Sequence, residues 1–273
     1  MKKTGPLLLS ILILAVLSCT SQDTSASRPQ KQEAYSLSKR SDGSWQIQHD
    51  SPYYRYFNSV HESFSLLIDA AQSPDEHRRL HIQRDLAVAR ERLKHLADQQ
   101  LVREVIGRTR SVSGTNETGQ IFRTNDIDAI PRQRFSPSQP ESWEYQERRV
   151  LGGSRGADAM TAIVQFDRQL KSRGVQLIVL PVPNSAQVFA HLLHDGISIE
   201  QEVWHPWSQM IVKLLEHDVE VIDLLDLYKT WSGDNTVLNY IDHHWGLAGL
   251  EIVGHELSRR LSRFEFDPAF YIN

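Results

Sequence analysis

The 273-residue sequence is short of several things, and each shortage narrows what the chain can be. It has one cysteine, Cys19, so no intrachain disulfide and no cysteine-based metal cluster or redox pair supports it. Basic residues number 30 against 34 acidic, a net charge of −4, which excludes an electrostatic nucleic-acid binder. There is no run of like charges that would mark an acidic or basic tail. The one long apolar run, Leu7 to Leu17, is too short for a comfortable membrane span. No stretch repeats itself along the chain. What remains is an ordinary globular composition, 40% hydrophobic, in a chain long enough for one α/β domain and an appendage.

Lys2 and Lys3, the Leu7–Leu17 run, and Leu17-Ser18-Cys19 before polar Thr20-Ser21-Gln22 resemble a bacterial lipoprotein signal. The resemblance implies cleavage before Cys19, lipidation of its thiol, and, with Thr20 rather than Asp following, the periplasmic face of the outer membrane in a diderm host. The alternative is a secretory signal with a chance cysteine. Residues 20 to about 50 are Ser-, Gln- and Lys-rich, the composition of a disordered tether.

Pro52-Tyr53-Tyr54-Arg55-Tyr56-Phe57 opens the ordered part, as a packing lid or a sugar-binding aromatic cluster. Leu86, Ala89, Leu93, Leu96, Leu101 and Val105 recur at helical spacing, predicting one helix from Asp75 to about Ile106, started at Pro74 and stopped by Gly107. Arg90, Arg92 and Lys94 read as its solvated face. These residues, 51–110, form a helical appendage; a domain follows at 111–273. In it, a short strand is expected at Gln120–Arg123 and a proline-rich loop at Pro131–Pro140. Helices are expected at Ala157–Arg173 and Pro206–His217, and buried strands at Val175–Leu180 and Val219–Ile222. Helix, turn and apolar strand in alternation predict a mostly parallel sheet flanked by helices.

The chemistry concentrates in Tyr240-Ile241-Asp242-His243-His244-Trp245-Gly246, followed by an apolar helix bearing Leu247, Leu250, Val253, Leu257 and Leu261. An Asp two positions before a His can hold Nδ1–H and leave Nε2 to move a proton. Asp242, His243, His244 and His255 are also oxygen and nitrogen donors for zinc, but adjacent histidines point different ways and chelate poorly. A third reading is structural, with Asp242 capping the helix that begins at Gly246. Trp204 and Trp207 could line a carbohydrate cleft or close a loop against the core. His191 and His194 fall beside a turn.

The strand ending in Pro181-Val182-Pro183-Asn184-Ser185, the segment Val219–Tyr228 and the Asp242–Trp245 corner, with Thr118–Ile127 before them, resemble the SGNH hydrolase-like domain of the AlgX/AlgJ polysaccharide O-acetyltransferases. The Asp-His-His-Trp tetrapeptide equally resembles a bacterial protein family named for it. The first resemblance implies an SGNH-like α/β fold, a polysaccharide substrate, an acyl-donor membrane protein as partner, and no cofactor or metal. It also implies a Ser-His-Asp triad in which Asp242 orients His244, the base, with Trp245 behind the ring. The family's serine lies C-terminal to this motif, in a Gly-x-Ser turn; after Trp245 this sequence has only Ser258 and Ser262, in an Arg-rich helix. Ser154, in Gly152-Gly153-Ser154-Arg155-Gly156, is the substitute nucleophile: glycine-flanked, with backbone N–H groups for an oxyanion, or else a loop and helix cap. Ser185 reads as a cap or turn residue, and Asn184 as a donor to an oxyanion or a sugar hydroxyl. Two functions follow: acyl chemistry on an exported polysaccharide, or an inactive, lipid-anchored binding or scaffold relative.

Overall fold

The computed structural model describes residues 11–16, 36–39, 45–48, 51–111, 159–194, 196–231, 237–238 and 244–264. Its centre is a parallel sheet in the order β1 (Ile11–Val16), β4 (Gln176–Pro181), β5 (Glu220–Val221). A separate antiparallel pair joins β2 (Ser36–Lys39) to β3 (Trp45–Gln48), inside the stretch expected to be a tether. Ile11–Val16 falls within the apolar run expected to be a leader, and its pairing with β4 exists only in the uncleaved chain.

The helices are α1 (Pro52–Asp69), α2 (Pro74–Arg92), α3 (Gln99–Ser111), α4 (Ala159–Lys171), α5 (Ser185–Val188), α6 (His205–Glu216), α7 (Leu225–Lys229) and α8 (Leu247–Leu261). Side chains alternate across β4 and divide the core in two. Leu177 and Val179 face a layer built from α4, α6 and part of α2. Ile178 and Leu180 face the other, built from α1, α7 and α8. The expected α/β architecture with a helical N-terminal part is therefore present.

Three expectations fail along the predicted Asp75–Ile106 helix. The predicted long helix breaks after Arg92, where Leu96 turns extended and pairs with Glu202; Ala97 N–H donates to Glu202 O (3.0 Å) and Glu202 N–H to His95 O (3.1 Å). Gly107 lies inside α3 rather than ending it. The start is as expected: Pro74 is in the first turn, and Ser73 Oγ accepts from Glu76 N–H at 3.1 Å. Arg90 and Lys94 are solvated, but Arg92 is 1% exposed. Arg78 and Arg84 are buried too, and α2 faces β5, α7 and α8 with guanidinium groups. Arg78 pairs with Asp218 (2.9 Å), Arg84 with Asp85 (2.8 Å) and Glu256 (3.6 Å), and Arg92 with Asp223 and Asp226. From α8, Arg260 meets Asp85 and Glu220 (3.3 Å to the latter). Charges this deep persist only when paired. The helical segment is thus part of the core, and its periodicity misled because paired arginines bury as well as leucines do.

Tyr53 and Tyr54 are buried, so these two rings of the opening aromatic cluster pack rather than face solvent; they meet edge to face at 5.0 Å.

Candidate functional site

Three segments meet where the parallel strands end, the place an α/β sheet opens into a crevice. The chain leaves β4 through Pro181 into α5, whose start is fixed by Asn184: its Oδ1 accepts from Gln187 N–H (2.9 Å) while Asn184 N–H donates to Gln187 Oε1 (2.9 Å). The cap is Asn184, not Ser185, which is fully buried in the first turn. Capping occupies the Asn184 carbonyl oxygen and leaves its side-chain N–H₂ as the donor. The chain leaves β5 through Ile222 into α7, which packs on α5. Asp223 Oδ1 receives Leu225 N–H (3.1 Å) and sets the turn into α7.

From α7, Tyr228 reaches the third segment: its hydroxyl donates to Gly249 O at 3.2 Å. Burial pushes the Tyr228 phenol well up, so it remains a donor through ordinary pH. On the other side, Gly246 N–H donates to Val237 O (3.0 Å), and Leu238 and Trp245 form an antiparallel bridge. A Cβ on Gly249 would lie 2.1 Å from Val237 O, so only glycine fits there. The first turn of α8 is held between Tyr228 and Val237, and His244 stands just before it, exposed. Trp245 is half-buried against the α1/α7/α8 layer.

Asp242, His243, Ser154 and Cys19 lie outside the described residues, as do the expected 120–123 strand and the 131–140 loop. Trp204 is described, at 5% exposure, stacked on Trp207 with ring centroids 5.4 Å apart. It belongs to the layer across the sheet from Trp245, and its ring is a core element instead of a sugar platform. Among the described residues no group of three or more His, Cys, Asp or Glu side chains is placed to hold a metal ion, and no helix is long and apolar enough to cross a membrane. His255 Nδ1 lies 3.7 Å from Glu256 Oε1. His194 joins Gly196 N–H to Glu104 Oε2 (3.0 Å to the latter), tying its loop to α3. His191 is pushed down to about 4, by burial and then by the Lys229 ammonium, and is neutral at ordinary pH.

Residues 141–267 match the family model described as SGNH hydrolase-like domain, acetyltransferase AlgX. This part of the chain is an AlgX-type SGNH hydrolase-like domain. No curated protein and no solved structure matches the chain. The AlgX-type domain contains all three converging segments and Ser154, whereas α1 and α2 precede it. Ser258 is exposed on α8 and Ser262 Oγ donates to Arg259 O (2.8 Å). Fourteen residues of mostly helical rise put Ser258 roughly 20 Å from His244. The AlgX-type domain also borders a cavity of about 20 Å³, lined by Phe57, His61, Arg84, Arg92, Asp226 and Glu256 among others. That is room for about one water and excludes a sugar ring.

Sequence reasoning missed Tyr228, Gly249 and Arg92. The signal for Gly249 was visible: a glycine inside a helical pattern marks a close approach.

Proposed function

We propose that the AlgX-type domain acts in acetylation of an exported polysaccharide, with His244 as the proton-moving base and Asp242 as the carboxylate that orients it. The supporting observation is the convergence of the α5, α7 and α8 starts at the carboxyl end of the sheet, with an exposed His244 on a braced turn. A serine hydroxyl attacks an acyl carbon only when a base takes its proton; His244 would then return that proton to the leaving oxygen. The Asn184 side-chain N–H₂ is the candidate donor to the oxyanion or to a sugar hydroxyl. Ser154 is the candidate nucleophile. Lipidation at Cys19 would hold the domain at the envelope membrane, near an acyl-donor membrane protein.

A second reading, a binding or scaffold relative without catalysis, draws support from Ser185 being buried and from Ser258 and Ser262 lying far along α8. A serine-directed fluorophosphonate separates the two. Stoichiometric labelling at Ser154, lost in His244→Ala, supports the enzyme. Acetyl-ester hydrolysis should then fall roughly 100-fold or more in His244→Ala and in Asp242→Ala, with the double variant little worse. Absence of labelling together with retained polysaccharide binding supports the scaffold. Palmitate labelling of wild type and Cys19→Ser tests the anchor.

A further inference from the structure

We propose that Arg92, outside the AlgX-type domain, positions the His244–Trp245 turn through α7. The inference deepens the reading of His244 as the base and rests on it for its functional meaning.

The path is short, and up to the His244 turn it is buried except at the half-buried Asp223. Arg92 is 1% exposed and forks across two carboxylates. Its Nη1 pairs with Asp223, its Nη2 with Asp226 Oδ2, and its Nε donates to Asp226 Oδ1 at 3.3 Å. Planar, two-pronged recognition fixes orientation as well as distance, which a lysine point charge would not do. The two carboxylates are the hinges of α7. Asp223 Oδ1 takes Leu225 N–H and sets the turn into the helix. The Asp226 backbone carbonyl takes the Thr230 hydroxyl (2.8 Å) at the exit. With both gripped, α7 cannot rotate about its axis, and rotation is the motion that would move Tyr228. Tyr228 is 1% exposed, and its hydroxyl bond to Gly249 is a polar link from α7 to the first turn of α8. Gly249 in turn has its Cα against Val237 O, so a displaced Tyr228 hydroxyl has no slack to be absorbed there. The start of α8 must shift, carrying Trp245 and His244.

Arg78 provides the comparison within the same helix. Its ion pair runs from a buried guanidinium to an exposed carboxylate, and that partner, Asp218, sits at the opposite end of β5, before the strand. The second partner of Arg78, Glu220 Oε2 at 3.8 Å, is shared with Arg260 in the last turn of α8, about four helical turns from His244.

The test uses the full chain with ¹³C-labelled histidine, His244 being assigned by its loss in His244→Gln. Tyr228→Phe and Arg92→Met should each displace the His244 ring resonance from its wild-type position, as an altered local environment does. The double variant should move it no further than the larger single, because both act on one path. Arg92→Lys should rescue less than half of the displacement. Arg78→Met should destabilise the protein and leave His244 unmoved. A folded Arg92→Met with an unchanged His244 overturns the proposal, as does an Arg78→Met displacement of equal size. Should Arg92→Met fail to fold, Tyr228→Phe decides: an unchanged His244 there overturns it, and a displaced one supports the α7 link. The readout needs no turnover. Displacement in a protein without esterase activity would leave the positioning path standing and remove the catalytic reading of His244.

Discussion

Two corners of the sheet are built to the same plan from different chemistry. At the first, α4 ends, Gly174 takes φ 73°, and Val175 N–H bonds back to Leu170 O (3.0 Å) before β4 begins. At the second, α6 ends, Asp218 takes φ 61°, and Val219 N–H bonds back to Leu214 O (3.0 Å) before β5 begins. Both are left-handed helix stops. Glycine adopts that conformation without steric cost; aspartate adopts it at a cost of roughly 1–2 kcal/mol. The second corner is held from outside. Arg78 reaches Asp218 from α2, and Lys171, at the end of α4, donates to Asp218 O (2.8 Å) and Oδ2 (3.0 Å). One corner is self-sufficient, and the other depends on its neighbours.

Acid should part them most. His81 follows Arg78 by one turn of α2, is 0% exposed, and has neither ring nitrogen hydrogen-bonded. Burial, then the Arg260 and Arg84 guanidinium groups, push it far below the ordinary histidine range. The folded protein therefore binds no proton at His81 where the unfolded chain does, and stability falls as pH drops below about 6.5, by up to roughly 1.4 kcal/mol per pH unit. Urea titrations at pH 7, 6, 5 and 4 should show this limb, and His81→Phe should make it shallower, leaving the part owed to His61 and His191, which burial pushes down to about 3 and about 4. A second limb lies lower. Burial raises Asp218, but hydrogen bonds from Arg78 and Lys171 outweigh it and hold the carboxyl below its ordinary value. That contribution is present above about pH 4 and lost below it, so Asp218→Asn should lower stability above about pH 4 and remove the slope below it.

Valine at each corner is next in size. Gly174→Val introduces the full left-handed strain, about 1–3 kcal/mol, whereas Asp218→Val adds only the part by which valine exceeds aspartate. Asp218→Val also takes the Asp218 carboxylate from Arg78, a loss of about 1 kcal/mol, so chemical denaturation should find the two variants close. A loss at Asp218 well below that at Gly174 would show that the clamp contributes nothing. Asp218→Gly removes strain and clamp together, and its net effect should be below about 1 kcal/mol, since the carboxylate is largely exposed. Raising the salt concentration should weaken wild type at this corner and leave the glycine variant unaffected. Smallest of all, Leu250→Ser on the outer face of α8 should alter stability by less than about 0.5 kcal/mol.

Leu250 also shows how far the sequence could be read. The strands β4 and β5 and the helices α4 and α6 were legible because apolar residues there face an apolar layer: Met210, Ile211, Leu214 and Leu215 are all buried. In α8 the same rule holds for Val253, Leu257 and Leu261, which pack on the core, and fails in the first turn. Leu247 and Leu250 are exposed at 67% and 49%, while Glu256 and Arg260 are buried opposite α2. Hydrophobic periodicity cannot register a face whose partners are charges supplied from elsewhere in the chain. The His244–Trp245 corner stood out by its residue types, and the family match includes it. What braces it did not stand out, because a tyrosine bond to a backbone carbonyl and an arginine fork to two aspartates leave no local pattern.

The arginine row also sets a timetable. Arg92 meets a carboxylate 131 residues further along the chain, and Asp85 meets an arginine 175 residues further. At about 5–20 residues per second, α2 is made roughly 7–35 s before the groups that neutralise it. Through that interval the α1–α2 hairpin must keep its arginines in water and its tyrosines without their core. Such distant closures are slow to form. The nascent hairpin is therefore a client for whatever holds unfolded chain during synthesis. A chain trimmed to the matched domain would meet the reverse problem, with Asp223, Asp226 and Glu220 waiting for arginines of α2 that never arrive.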